Sequence, residues 1–145
     1  MIMIKHCGLR LRLAWVVLCG CAVVALGCGS GGDGPQRYNL SGTVTFDGKP
    51  VPYGTISMAP DTSKGNSGPG SFAQIRDGRY QTERGAGTVG GPHVFSIMGL
   101  TGFPGSEGFD PETGVLFDSF DLNVDLPMAN TTYDIAVPAS AASGR

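Results

Sequence analysis

Cysteine, tryptophan and histidine are nearly absent from this chain of 145 residues once its first 28 residues are set aside. The four cysteines and the single tryptophan all lie in that opening segment, at Cys7, Trp15, Cys19, Cys21 and Cys28. His93 is the one histidine beyond it. Residues 29–145 can therefore form no internal disulfide, offer no cysteine to a zinc ion and cannot build a histidine-rich metal centre. A domain in this region must be held together by its core alone.

Positive charge is also scarce after the opening segment. The basic residues Lys5, Arg10 and Arg12 lie before residue 28, where there is no acidic residue. Of the 10 basic residues, 7 therefore remain in residues 28–145 against all 12 acidic residues, a net charge of −5. This balance disfavours nucleic acid as the main partner, because nucleic acid requires a basic surface. It is also the wrong sign for electrostatic adhesion to anionic lipid.

The chain beyond residue 28 also lacks the apolar pattern of an amphipathic helix. No stretch beyond residue 28 repeats apolar residues every 3.6 positions, and the 24 glycines and 10 prolines of the whole chain oppose helix formation. Apolar residues instead alternate with polar ones, most cleanly from Phe120 to Leu126, which is the pattern of a half-buried strand. About seven such strands are separated by turn signals, of which Asp77-Gly78 is one. We expect an all-β fold, a single antiparallel β-sandwich of Greek-key type.

The first 27 residues have the three zones of a secretory signal. Basic residues come first, an uncharged stretch covers residues 13–27, and small residues then precede Cys28. As a helix, that stretch would rise about 22 Å, short of the roughly 30 Å hydrocarbon core of a bilayer. A permanent transmembrane helix is therefore disfavoured.

The residues around Cys28 resemble the lipobox of a bacterial lipoprotein. Ala-Leu-Gly at 25–27 precedes Cys28, and a spacer of small residues follows it. The resemblance implies cleavage before Cys28 and acyl chains on the new terminus. It also implies a protein anchored in the cell membrane that faces the periplasm or the cell surface. Cys21, with Leu18 three residues before it, is a rival site, but cleavage there would leave the apolar residues 22–26 in water.

The chain divides into four predicted segments. These are a lipoprotein signal peptide at 1–27, a flexible glycine- and serine-rich tether at 28–37, one domain at 38–138 and a frayed tail at 139–145.

Motifs along residues 38–138 resemble carboxypeptidase regulatory-like domains, which are transthyretin-like β-sandwiches. The run LSGTVTFDGKPVP at 40–52 is similar to their first hairpin, and DGRY at 77–80 is similar to their mid-domain turn. GPHV at 91–94 and YDIAVP at 133–138 are similar to small lipoproteins that carry one such domain. The resemblance implies a non-enzymatic accessory or adhesive module, and it implies no substrate or cofactor.

Two functions stay open for the domain. One is a structural or protein-interaction module of the cell envelope, and the other is a carbohydrate or small-ligand binding domain. An aromatic platform for a sugar would have to come from Tyr53, Phe103, Phe109 and Phe117. The glycine-rich segment 61–70 is predicted to be a long, mobile loop and a candidate contact surface.

One acidic cluster is a weak candidate for a cation site. Its members are Asp118, Asp121, Asn123 and Asp125, whose oxygens suit Ca²⁺. The last three alternate with apolar residues, which predicts a solvent-facing strand, and the EF-hand spacing is absent. We therefore expect no metal and no cofactor. Hydrolysis by Asp118 and Asp121 is a third possibility, without any nucleophile motif to support it.

Two further signals have structural explanations. Residues 85–90 match the dinucleotide fingerprint GxGxxG, but a strand pattern follows where a helix would have to begin. His93 shares the inward phase of Phe95 and Ile97, which predicts a hydrogen-bonded structural role.

Overall fold

The computed structural model describes residues 34–142, and it builds them from β-strands. The strands are, in chain order, β1 (Leu40–Phe46), β2 (Lys49–Pro50), β3 (Tyr53–Pro60), β4 (Ser71–Arg76), β5 (Arg79–Gln81), β6 (Gly91–Leu100), β7 (Val115–Leu126), β8 (Thr131–Thr132) and β9 (Ile135–Val137). Seven of them coincide with the strands that alternation predicts, and β2 and β8 are additional two-residue pairings. Within this part of the chain, the helical segments are two 3₁₀ turns of three residues, Thr62–Lys64 and Ala139–Ala141.

The strands form one continuous hydrogen-bonded sheet in the order β2-β1-β5-β4-β3-β6-β7. The chain meanders through β3, β4 and β5 and then crosses back, so that β6 pairs with the far side of β3. That spatial order is a Greek key, as predicted. The remaining strands, β8 and β9, run parallel to β1. Alternation predicts a strand but not its direction, so the sequence did not reveal this parallel pairing.

The sheet curls until its two halves pack face to face. Phe46 on β1 lies against Phe117 on β7, with ring centroids 5.2 Å apart. Phe95 on β6 meets Tyr133, just before β9, at 6.1 Å and nearly edge-on. These contacts join opposite ends of the sheet, and they confirm the predicted all-β sandwich around one core.

Apolar side chains from seven strands, together with Val51 between β2 and β3, fill that core. Its buried members are Leu40, Val44, Val51, Ile56, Met58, Ala73, Ile75, Tyr80, Phe95, Ile97, Phe117, Val124, Leu126, Ile135 and Val137. Because apolar and polar residues alternate along the strands, the residues next to these core members point outward. The strand β4, for example, buries Ala73 and Ile75 and exposes Gln74 and Arg76.

The segment 61–70, predicted to be a mobile loop, makes several polar contacts in its first part, residues 61–66. Asp61 accepts hydrogen bonds from the backbone and side chain of Ser63 and lies 3.5 Å from the Lys64 ammonium. Asn66 donates to the carbonyls of Gly90 and Pro92 at 2.9 and 2.7 Å. Small polar side chains therefore satisfy several backbone groups of this loop, and its mobility stays a prediction.

No helix among residues 34–142 has the length and apolar composition needed to cross a membrane.

Two phenylalanines test the predicted division between core and outer face. Phe117 is fully buried, whereas Phe72 on β4 is 54% exposed. We expect Phe117→Ala to lower the free energy of unfolding by about 3–5 kcal/mol, since it leaves a cavity between the two halves of the sheet. Phe72→Ala removes the same atoms from the surface and should change it by at most about 0.5 kcal/mol. Urea denaturation of both variants measures the difference, and equal losses would contradict the assigned core.

Candidate functional site

The outer face of the sheet carries an open polar trough across β1, β5 and β4. Its volume is about 460 Å³, within the range of small-ligand sites. We call it the arginine trough, and it is lined by Ser41, Gly42, Thr43, Gln74, Arg76, Arg79, Tyr80, Gln81, Thr132 and Asp134. Most of these residues carry a hydroxyl, amide or charged group, so the trough can hydrogen-bond a polar ligand.

Two arginines face each other at one end of the trough. Arg76 ends β4 and Arg79 begins β5, and the two are direct cross-strand partners. The turn between them consists of Asp77 and Gly78, with φ of 48° and 73°. Positive φ at both positions is typical of a two-residue type I′ turn, which brings the flanking residues directly opposite each other.

Neighbouring side chains fix Arg76 in place. Its guanidinium donates to the Gln74 side-chain oxygen at 2.9 Å and lies over the Tyr53 ring, 5.8 Å from the centroid. Tyr53 in turn meets Phe103 edge-on, with ring centroids 5.2 Å apart. The cation is therefore held by a hydrogen bond and a cation–π contact before any ligand arrives.

Asp134 supplies a carboxylate at the other side of the trough. One of its oxygens accepts hydrogen bonds from both the backbone N–H and the hydroxyl of Thr43, each at 2.8 Å. The bond from the hydroxyl, and after it the bond from the backbone N–H, hold the pKa of Asp134 below its ordinary value of 3.8. The group is therefore ionised at neutral pH, with a second oxygen left to accept from a ligand.

Tyr80 links the trough to the core. Its ring is buried, and its hydroxyl donates to the Tyr133 carbonyl at 2.7 Å. Burial, with a smaller effect of the Asp134 charge, raises the pKa of this phenol, so it stays protonated. Gly42 completes the arrangement, because a Cβ there would collide with the same Tyr133 carbonyl. Only glycine at this position lets residues 133–134 approach β1.

The acidic residues predicted as a weak cation site lie along β7, the strand at the edge of the sheet. Asp121 accepts from the hydroxyls of Ser96 and Ser119 at 2.7 and 3.3 Å. Asp118, Asn123 and Asp125 are exposed along the same strand. Among residues 34–142, no three acidic, histidine or cysteine side chains converge as metal ligands would. Cys28, the predicted lipidation site, lies outside the described residues.

The predicted aromatic platform is only partly present. Tyr53 and Phe103 form the edge-on pair beside the trough, and Phe103 is 52% exposed. Phe109 is half-buried in the loop that connects β6 to β7. Including Phe117 was wrong, because this side chain is fully enclosed between the two halves of the sheet.

The other two sequence signals take structural roles. Residues 85–90 form a turn that leads into β6, as expected, with Thr88 bridged to Tyr38. His93 is 1% exposed, and its Nδ1 lies 2.9 Å from the Gly91 carbonyl oxygen. Its Nε2 is buried without a hydrogen-bond partner.

Sequence reasoning missed the arginine trough. The turn at Asp77 and Gly78 was recognised, and a two-residue turn makes its flanking residues cross-strand partners. The sequence Arg-Asp-Gly-Arg therefore already carried a signal for the arginine pair. Thr43 and Asp134 lie 91 residues apart, and no local pattern brings them together.

Comparison with protein-family models, curated proteins and solved structures finds no match for this chain. Its function has to be inferred from its residues and their geometry.

Removing the Tyr80 hydroxyl should weaken the link between trough and core. Tyr80→Phe leaves the Tyr133 carbonyl without this donor, and we expect the free energy of unfolding to fall by about 1 kcal/mol. Chemical denaturation measures the loss. Tyr38→Phe, which removes a hydroxyl from a half-buried tyrosine outside this contact, is the matched control. Equal effects of the two variants would contradict the assigned role.

Acid should weaken the domain through Asp134. Because the pKa of Asp134 is lowered in the folded protein, the unfolded chain binds more protons as the pH falls. The stabilisation is complete well above pH 3.8 and is lost as the pH falls through the lower folded pKa.

Asp134→Asn removes this titration, and Thr43→Val, which removes the main cause of the pKa shift, should reduce the contribution of Asp134 to stability. Unfolding midpoints between about pH 6 and pH 2 test this. An unchanged acid slope in Asp134→Asn would refute it.

Proposed function

We propose that this protein is a non-enzymatic lipoprotein of the cell envelope whose β-sandwich is a binding module. Lipid on Cys28 would hold it to the membrane, and the resemblance to lipobox signals and to carboxypeptidase regulatory-like domains supports this assignment. The observation that carries the binding role is the arginine trough, with two arginines opposite each other and a carboxylate on an outer sheet face.

The trough is well placed for a protein anchored through its N-terminal side. Arg37 donates to the carbonyls of Gly70 and Gly87, so the chain joins the domain at the start of β4. The arginine pair lies at the opposite end of β4, about 17 Å away for a strand of this length. The pair therefore lies at the far end of the domain from the side where the tether joins.

The site chemistry favours binding over catalysis. His93, the one histidine of residues 28–145, is buried in the core and is out of reach of a substrate in the trough. The trough's hydroxyl groups, on Ser41, Thr43 and Thr132, have no histidine beside them to act as a base.

The position of the trough distinguishes the two candidate roles. An extended protein segment usually adds to an exposed sheet edge. The arginine trough instead lies on the face of β1, β5 and β4, each of which is paired on both sides. This placement favours the carbohydrate or small-ligand role over a protein-interaction role.

Replacing Cys28 tests the membrane anchor. In cells that process lipoproteins, the native protein should be found in the membrane fraction. Its N-terminal peptide should begin at Cys28 and have a mass that includes acyl chains. Cys28→Ala removes the thiol and should release the protein from the membrane, or leave it there with an unprocessed signal.

Cys21→Ala is the matched control, since it changes the rival site only. It should leave both location and peptide mass unchanged. An unmodified N-terminal peptide from the native protein, or a loss of anchoring in Cys21→Ala alone, would overturn the assignment of Cys28.

A further inference from the structure

We propose that the arginine trough binds an acidic oligosaccharide, with a sugar carboxylate held between Arg76 and Arg79 and sugar hydroxyls bonded to the remaining lining. The inference rests on the proposed binding function of the trough and does not depend on the lipid anchor. It names a ligand class and the residues that select it.

An anion bound between Arg76 and Arg79 would stabilise this pair of cations. Like charges directly opposite each other on neighbouring strands destabilise a sheet. Asp134, the carboxylate in the lining, is already engaged by Thr43. Among residues 34–142, the one ion pair joins Lys64 to Asp61, outside the trough. A ligand carboxylate would relieve the repulsion, and the planar guanidinium fork binds carboxylates with two parallel hydrogen bonds.

The rest of the lining matches sugar hydroxyls. Gln74 offers its amide N–H groups, and Gln81 offers both a donor and an acceptor. The Thr43 hydroxyl, which donates to Asp134, can still accept, and the Ser41 and Thr132 hydroxyls, 3.4 Å apart, share one proton and leave the other to donate. The free oxygen of Asp134 accepts from a hydroxyl. A sugar ring presents hydroxyls that both donate and accept, so this mixture suits it better than it suits an inorganic ion.

An acidic peptide fits the same surface less well. Peptide recognition uses either a sheet edge or an apolar groove for side chains. The trough has no free sheet edge, because its strands are paired on both sides, and Tyr80 is the one large apolar side chain among its lining residues. Outside the trough, Arg76 lies over Tyr53, and the exposed ring of Phe103 packs against Tyr53. A longer saccharide would extend toward this ring.

The test is calorimetric titration of the full-length protein, purified in detergent, with oligogalacturonate. The matched ligand is the methyl ester of the same oligosaccharide, which keeps the hydroxyls and removes the charge. We expect binding of the acid and at least about tenfold weaker binding of the ester, the scale of a bidentate charged contact.

Variants then assign the site. Arg76→Gln and Arg79→Gln should each weaken binding at least about tenfold. Arg79→Lys keeps the charge but loses the fork, and it should also weaken binding. Arg84→Gln, an exposed arginine outside the trough, removes the same charge and should bind like the native protein. Circular dichroism and urea unfolding of each variant exclude a loss of fold.

Three outcomes would overturn the proposal. These are equal binding of acid and ester, equal effects of Arg84→Gln and Arg79→Gln, and no binding of oligogalacturonate by folded protein. A sulfated dextran that binds through the same arginines while oligogalacturonate does not would replace the carboxylate with a sulfate. Binding of polyglutamate through the same arginines, without oligogalacturonate binding, would identify an acidic peptide instead. In each case an acylated Cys28 peptide would leave the envelope assignment intact.

Discussion

The turn at Asp77 and Gly78 is the constraint on which the candidate site depends. Its backbone is hydrogen-bonded to β1 and to the connection between β2 and β3. The Gly78 carbonyl accepts from Val44 at 2.8 Å, the Gly78 N–H donates to Val51 at 2.8 Å, and the Asp77 N–H donates to Pro52 at 2.9 Å. A Cβ on Gly78 would collide with Pro50. The turn therefore fixes the register of β4 against β5, and it anchors this hairpin to β1 and to the residues just before β3. The two arginines are thereby kept opposite each other.

The first strand, β1, connects the stability of the domain to its surface. It pairs with β5 on one side and with β8 and β9 on the other, so the last strands of the chain close against the first. Gly42 allows the close approach, and the Tyr80 hydroxyl secures it by bonding to Tyr133. Asp134 follows immediately and bonds to Thr43. The same contacts that close the sandwich therefore place the carboxylate in the trough.

The two ends of the sandwich have different roles. At one end, Arg37 and Asn66 use their side chains to satisfy backbone carbonyls, which makes that end a set of internal connections. At the other end, Arg76 and Arg79 have cationic groups near the surface, and the one hydrogen bond from Arg76 goes to Gln74. A protein that is tethered at the first end and binds at the second would present its site to the surroundings. The long edge strand β7 exposes several aspartates, which discourages pairing with another sheet.

The strands, the Asp77-Gly78 turn and the all-β class could be predicted from local sequence, because each depends on residues a few positions apart. An alternation of period two predicts a strand whichever strand it pairs with. Positive φ at Asp47, Gly48, Asp77 and Gly78 follows from the turn preference of the Asp-Gly pair itself. The inward position of His93 and the strand after residues 85–90 were predictable for the same reason. No local pattern revealed which strands are neighbours, the parallel pairing of β8 and β9 with β1, or the burial of Phe117; these follow from the folded sheet. The tertiary structure also decided the trough, since that site joins residues from β1, β4 and β5 to Asp134, which is 91 residues from its partner Thr43. Contacts over such distances depend on how the sheet curls, and curling is a property of the whole sheet and not of any local pattern.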